Sequence, residues 1–207
     1  METKDYLKYT AEMIHTVIMA TIDEQGRPVT AAIDIMDADQ DSLYFLTARG
    51  KAFYERVRRN GFIAFTGLKG EDTMSSVSVS VQASVTEMGS GMIPELFRKN
   101  PYMAMIYPTE ESRQALTVFR IHDGTGEWFD LSRRPIERDS FTFGTGCRKE
   151  AGYRISEQCT GCGACIPVCP QNCIDPSAVP YRIKQENCLH CGNCQNVCPA
   201  NAVERRS

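Results

Sequence analysis

The chain has 207 residues, 42% of them apolar, and a formal charge of -3. That is enough apolar material for one large core or two modest ones, and the charge gives no reason to expect a nucleic-acid partner. No apolar run approaches the roughly 18–20 residues that span a bilayer, and the opening METKDYLKYT lacks an apolar signal segment, so a cytoplasmic location without a membrane partner is expected.

A first helix is expected over 3–14. HTVIMATID (15–23) and PVTAAIDIM (28–36) read as strands joined by the hairpin signal EQGR. SLYFLT (42–47) follows the acidic turn DADQD. GKAFYERVRRN (50–60) has helical spacing, with Phe53 and Val57 on one face, and GFIAFTGL (61–68) is a further strand. SSVSVSVQASVTEM (75–88) alternates apolar and polar residues for longer than any other stretch. A short helix is expected within 92–101, where Pro94 suits a helix start, and strands at 114–122 and 126–132. RKNPYMAMIYP (98–108) reads as a packed connection, Trp128 as a core residue, and His15 and His122 as structural or surface residues. Many strands and few helices make residues 1–146 mainly β, as a closed or nearly closed antiparallel barrel.

LTARGK leaves a strand and enters a helix, so unpaired backbone N–H groups face outward at the helix start. Thr47, Arg49 and Lys51 add a hydroxyl and two cations there, and Gly50 permits close approach. An anion such as a phosphate suits that set. So does an ordinary strand-to-helix turn with solvated cations. The order of elements, with YFLTARGKAFYERVRRNGFIAFTG followed by the long alternating strand, resembles the pyridoxamine 5'-phosphate oxidase-like family over about residues 8–132. That resemblance implies an FMN-binding split barrel, a homodimer and FMN at the dimer interface. It matches Thr47 and Lys51 best to phosphate-contacting positions, with Arg49, Gly50 and Ser76 as further cofactor-binding candidates. It does not extend to the C-terminal substrate-gripping residues of the oxidases. Vitamin B6 oxidation is therefore not expected, and no catalytic residue is assigned.

None of the ten cysteines lies in residues 1–146. In a reducing cytosol such clustering reads as metal binding rather than disulfides. Cys159-x2-Cys162-x2-Cys165-x3-Cys169-Pro recurs 29 residues later as Cys188-x2-Cys191-x2-Cys194-x3-Cys198-Pro. Thiolate tetrads also suit zinc, but a Pro-terminated run repeated in tandem resembles a bacterial 2[4Fe-4S] ferredoxin over about 152–207. The resemblance implies a small α+β domain (147–207) with two [4Fe-4S] clusters, in which the fourth Cys of each run serves the other cluster. Cluster one would then take Cys159, Cys162, Cys165 and Cys198, and cluster two Cys188, Cys191, Cys194 and Cys169. Three closely spaced thiolates wrap one face of a cubane, and the short loop does not reach the fourth iron. Cys173 falls where the repeat places Ala202 and reads as a small core residue. Cys147 reads as a bystander, and His190 as a polar neighbour of the second cluster loop.

Residues 133–153 read as a packed linker, since Phe141, Phe143 and Tyr153 punctuate it. Clusters pass single electrons and flavin handles one or two. The expectation is thus a flavin-dependent reductase of a small molecule in anaerobic metabolism, with one cluster near a flavin edge. The alternatives are an electron-transfer protein without an organic substrate, or a redox sensor that has lost its flavin. A redox partner protein or small-molecule acceptor is implied, its identity open.

Overall fold

The computed structural model describes residues 1–147 and 151–206. The expected strands form one curled antiparallel sheet. Its path runs β2 (Pro28–Asp34), β1 (Thr16–Ile22), β5 (Phe62–Lys69), β6 (Val77–Gly89), β7 (Leu116–Asp130), β4 (Leu43–Ala48) and β3 (Asp37–Ala38), while β8 (Glu137–Phe143) joins β7 off this path. At the β1–β2 turn the Asp23 carboxylate accepts the N–H groups of Gln25 (2.9 Å) and Arg27 (2.8 Å). In β6, Val77, Val79, Val81, Ala83 and Val85 are buried, and the intervening Ser and Gln turn to the other face, as the two-residue strand period requires. Register shifts at Ala83/Ser84 and Glu87/Gly89 bulge this strand and increase its curl. The result is a mainly β half-barrel.

Two helices close its concave side. α1 (Thr3–Tyr9), which continues as a wider turn over Thr10–Ile14, contributes Tyr6 and Leu7. α2 (Ala52–Asn60) contributes Phe53, Tyr54 and Val57, and stops at Gly61 in a left-handed cap. Between them Phe45 stacks on Phe119 with centroids 5.2 Å apart. Trp128 is core, as expected, packed against Tyr6 and Tyr9. The 98–108 connection contains one helical turn, Met103–Ile106, with Met103 buried beneath it.

Two expectations fail locally. The strands expected at 114–122 and 126–132 are one strand, β7. Its interruption by Gly124 and Gly126 looks like a turn in sequence, but each glycine seats an aromatic ring. A Cβ on Gly126 would lie 2.2 Å from Phe141 Cζ, and one on Gly124 would lie 2.5 Å from Phe143 Cζ. The same rings explain the second difference. Part of the expected linker is a true strand, β8, whose Phe141 and Phe143 pair with Gly126 and Gly124. α1 ties itself to β8 through Tyr6, which stacks on Phe141 and donates to Asp139 at 2.6 Å.

The C-terminal portion is small and α+β. β9 (Tyr153–Ile155) pairs with β12 (Val203–Arg205), β10 (Ile174–Asp175) pairs with β11 (Arg182–Ile183), and one helical turn spans Asn193–Asn196. This portion is fastened to the large sheet at Ile136. Its N–H donates to Gln171 Oε1 at 3.0 Å, and its carbonyl accepts Asn187 Nδ2 at 3.0 Å.

Candidate functional site

The first candidate lies where β4 ends and α2 begins. Lys51 is the exposed N-cap of α2, and no side chain caps that terminus. Thr47, two residues before the turn, is buried, and its Oγ1 has no hydrogen-bond partner among the described residues. A buried hydroxyl left unpaired costs about 1–3 kcal/mol, so the orphan points to a missing polar partner. Gly50 is open, with nothing within 4 Å of a would-be Cβ. Thr47, Gly50 and Lys51 therefore fit a phosphate group at a helix start. Opposite Thr47 stands Thr117, which donates to Glu87 at 2.8 Å. That carboxylate disfavours an anion nearby, which raises the demand on Lys51.

Two expected members do not join this cradle. Arg49 spends its guanidinium on the carbonyls of Gln114 (2.8 Å) and Leu116 (3.1 Å), pinning the chain that enters β7. Ser76 lies at the other end of the sheet. Thr47 is level with Thr117 on β7, whereas Val77 is level with Asp130, roughly 40 Å of extended strand away. The Ser76 hydroxyl is already donated to Thr73 O at 2.8 Å.

The second candidate is the cysteine-rich portion. One cavity is lined by Cys159, Cys162, Cys165 and Cys198, and another by Cys169, Cys188, Cys191 and Cys194. The fold thus exchanges the fourth thiols between the two runs, which places the expected ligand sets together. Gly161, Gly163 and Gly192 hold φ of 70°, 79° and 79°, which these loops reach without a Cβ penalty. Backbone N–H groups already point at sulfur: Cys173 N lies 3.4 Å from Cys169 Sγ, and Ala202 N lies 3.3 Å from Cys198 Sγ. Four converging thiols with N–H donors suit an iron–sulfur cube at each place.

Electrostatics separate the two sets. Burial pushes the Cys165 thiol up, and Cys194 up to about 11, so iron must displace protons to bind there. Cys188 is instead drawn down to about 6, first by a hydrogen bond from Cys173, then by the His190 N–H and the guanidinium of Arg138. Burial, followed by Arg138, holds the His190 imidazole below its ordinary value. Cys173 is buried as expected, but it also lines the second cavity, with its sulfur 3.4 Å from Cys169 Sγ. The repeat alone hid this, because its counterpart Ala202 carries no polar atom. Cys147 is exposed and outside both sets.

A third feature is the outer face of the sheet. A concavity of about 750 Å³ is lined by residues including Ile18, Ala20, Ala64, Thr66, Ser80 and Gln82, with Glu127 and Ser140 at its β7–β8 side. Ile18 is 53% exposed and Leu68 64%. Away from this face, His15, at φ 65°, places Nε2 2.8 Å from the Tyr102 hydroxyl, which donates to Asp34 at 2.7 Å. That chain joins the start of β1 to the 98–108 connection, in keeping with a structural histidine.

The sequence matches the family model described as pyridoxamine 5'-phosphate oxidase over residues 4–125, and the one described as 4Fe-4S dicluster domain over residues 158–202. Among solved structures, a Clostridium acetobutylicum protein related to general stress protein 26 of B. subtilis is 14% identical. The alignment covers 67% of this chain and 95% of that one, with a TM-score of 0.51. A NimC/NimA family protein of the same organism is 11% identical over 66% of this chain and 95% of that one, also at 0.51. At these identities the likeness is one of fold. No curated protein matches.

Proposed function

The chain belongs to the pyridoxamine 5'-phosphate oxidase family and carries a 4Fe-4S dicluster domain at its C-terminal end, making it a redox protein; from that premise we propose a homodimeric, FMN-dependent reductase of a small molecule, fed with electrons through two [4Fe-4S] clusters. When bound, FMN takes up or releases one or two electrons and the clusters relay them singly. In this reading Lys51 and the α2 terminus hold the FMN phosphate, with Thr47 supplying the hydroxyl that now lacks a partner. The two thiol sets hold the clusters, and the Ile136 clasp to Gln171 and Asn187 fixes the cluster-bearing portion against the sheet. The outer face, where Ile18 and Leu68 are exposed and the Glu127–Arg138 pair marks one edge, receives the second copy, in line with the rule that sizeable exposed apolar patches mark interaction sites. No described helix is long and apolar enough to cross a membrane, and we place the protein in the cytoplasm.

The observation that carries the reading is the coexistence in one chain of the orphaned Thr47 hydroxyl at a helix start and two crossed thiol tetrads. Purification without air, followed by iron and flavin analysis, tests it. About eight irons and one FMN per chain are expected, from two cubanes with four thiolates each and one cradle per protomer. Zinc in place of iron, or iron without flavin, contradicts it.

A further inference from the structure

The two thiol sets are nearly equivalent in sequence, but hydrogen bonds between the described residues clasp the neighbours of one of them to the sheet. Both polar groups of the Ile136 peptide, immediately before β8, are taken by residues of the second set. Gln171 lies two positions after Cys169, and Asn187 immediately precedes Cys188. Among the described residues the first set has no hydrogen bond of that kind. Its cavity is lined only by residues from Ile155 to Val203, and among the described residues its 156–168 loop makes hydrogen bonds only within the C-terminal portion.

Arg138, two residues beyond the clasp, is 19% exposed on β8 and pairs with Glu127 at 2.9 Å. Glu127 lines the outer concavity. The ion pair therefore links the part of β8 that packs on the turn just before Cys188 to the face where a second copy would dock. A second asymmetry lies at the repeat itself. Cys173 and Ala202 present equivalent N–H groups to Cys169 and Cys198, but only Cys173 adds a thiol, 3.4 Å from Cys169 Sγ.

We propose that the Cys169/Cys188/Cys191/Cys194 set is the sheet-side electron port, and that Arg138 and the Cys173 thiol hold its cluster at a higher potential than the Cys159/Cys162/Cys165/Cys198 cluster. This rests on the two-cluster reading above. The physical basis is charge. Reduction adds one negative charge to a cluster, so a nearby cation or a sulfur-directed hydrogen bond stabilises the reduced form. One electron from a low-potential one-electron donor protein reduces the first cluster. That electron then passes to the oxidised second cluster, leaving the first oxidised again, and no bond or proton changes place. Arg138 and Cys173 are positioning residues in this scheme and touch no substrate.

An anaerobic redox titration of the full, iron-loaded chain, followed by electron paramagnetic resonance, tests the port. Two midpoints are expected. Arg138→Leu and Cys173→Ala should each leave the lower of them in place and bring down the higher. Arg138→Lys should preserve it, because the charge is kept. Glu127→Gln, which frees the guanidinium, should raise it. Repeating Arg138→Leu in a Cys162→Ser, Cys165→Ser background, which keeps only the sheet-side cluster, should reproduce the shift. In a Cys191→Ser, Cys194→Ser background the shift should be absent. If Arg138→Leu moves the other midpoint, both or neither, the port assignment is wrong. A wild-type chain with eight irons and two signals but no such response sinks the port alone, whereas a chain that never binds iron sinks the cluster reading with it.

Discussion

Cys169 and Cys188 come from different runs of the repeat and line the same cavity, as do Cys198 and Cys159 in the other. On the proposed two-cluster reading, losing the fourth Cys of a run removes a ligand from the opposite run's cluster. Cys198→Ala should lower iron from about eight per chain toward about four, and adding Cys159→Ala should remove no more. Cys198→Ala combined with Cys188→Ala should lose both clusters. Iron analysis and magnetic resonance of the three variants check this, and an uncrossed arrangement would reverse the two double-variant results.

The cradle makes a separate prediction. Thr47→Val with Lys51→Ala removes one hydroxyl and one cation from the α2 terminus. A charge-assisted hydrogen bond contributes about 1.5–3 kcal/mol, so FMN binding should weaken by roughly ten- to a hundredfold. Iron content should not change. Ser76→Ala should leave binding within one protomer untouched, because its hydroxyl is committed to Thr73 at the far end of β7. Fluorescence titration with FMN reads both binding results, and iron analysis reads the cluster content.

Gly126 sits beneath the Phe141 ring, and a methyl group there would force that ring aside. Gly126→Ala should destabilise the barrel by about 1–3 kcal/mol, as overpacking in a tight core does. Thermal unfolding measures it. The expected loss should shrink in a Phe141→Leu background, because the obstructing ring is gone.

The outer face predicts association. Ile18→Lys puts a charge at an exposed apolar position of that face, and it should convert dimers to monomers with little effect on the fold of the monomer. Analytical ultracentrifugation decides, and a monomeric parent chain would remove the dimer from the account.

Asp123 predicts a contribution to acid stability. The Thr145 N–H, then His122 and the Thr145 hydroxyl, hold its carboxyl down to about 2. An unfolded chain has it near 3.9. The folded value is depressed, so the stabilisation is fully present above about 3.9 and fades as pH falls toward 2. Asp123→Asn should flatten that limb of the stability curve and leave the slope above pH 5 unchanged in unfolding titrations.

The legible parts were those set by local chemistry. Cysteine spacing follows the reach of a short loop, so the grouping of the eight thiols about two cavities was readable from the repeat. The β6 alternation and the EQGR hairpin are equally local. What the sequence hid depends on distant partners. Gly124 and Gly126 read as a break because their ring neighbours lie on another strand. Residues 137–143 read as a linker because only Phe141 and Phe143 show an inward face. Arg49 looked available to a phosphate because the carbonyls of Gln114 and Leu116 lie 65 and 67 residues away. Ser76 was grouped with Thr47 because sequence gives no hint of which end of β7 a residue meets. Cys173 looked inert because its meaning comes from Cys169 and Cys188 across the repeat.

The central claim is that electrons pass between the thiol-held clusters and a flavin held by the Thr47–Lys51 turn. The most direct test is rapid-freeze mixing of the anaerobic, fully loaded chain with a one-electron donor, following the cluster signals and the flavin's visible band in the same samples. The account predicts that cluster reduction precedes bleaching of the flavin band, and that bleaching collapses in Cys191→Ser, Cys194→Ser, which lacks the sheet-side set. A flavin that bleaches just as fast without those thiols would contradict it.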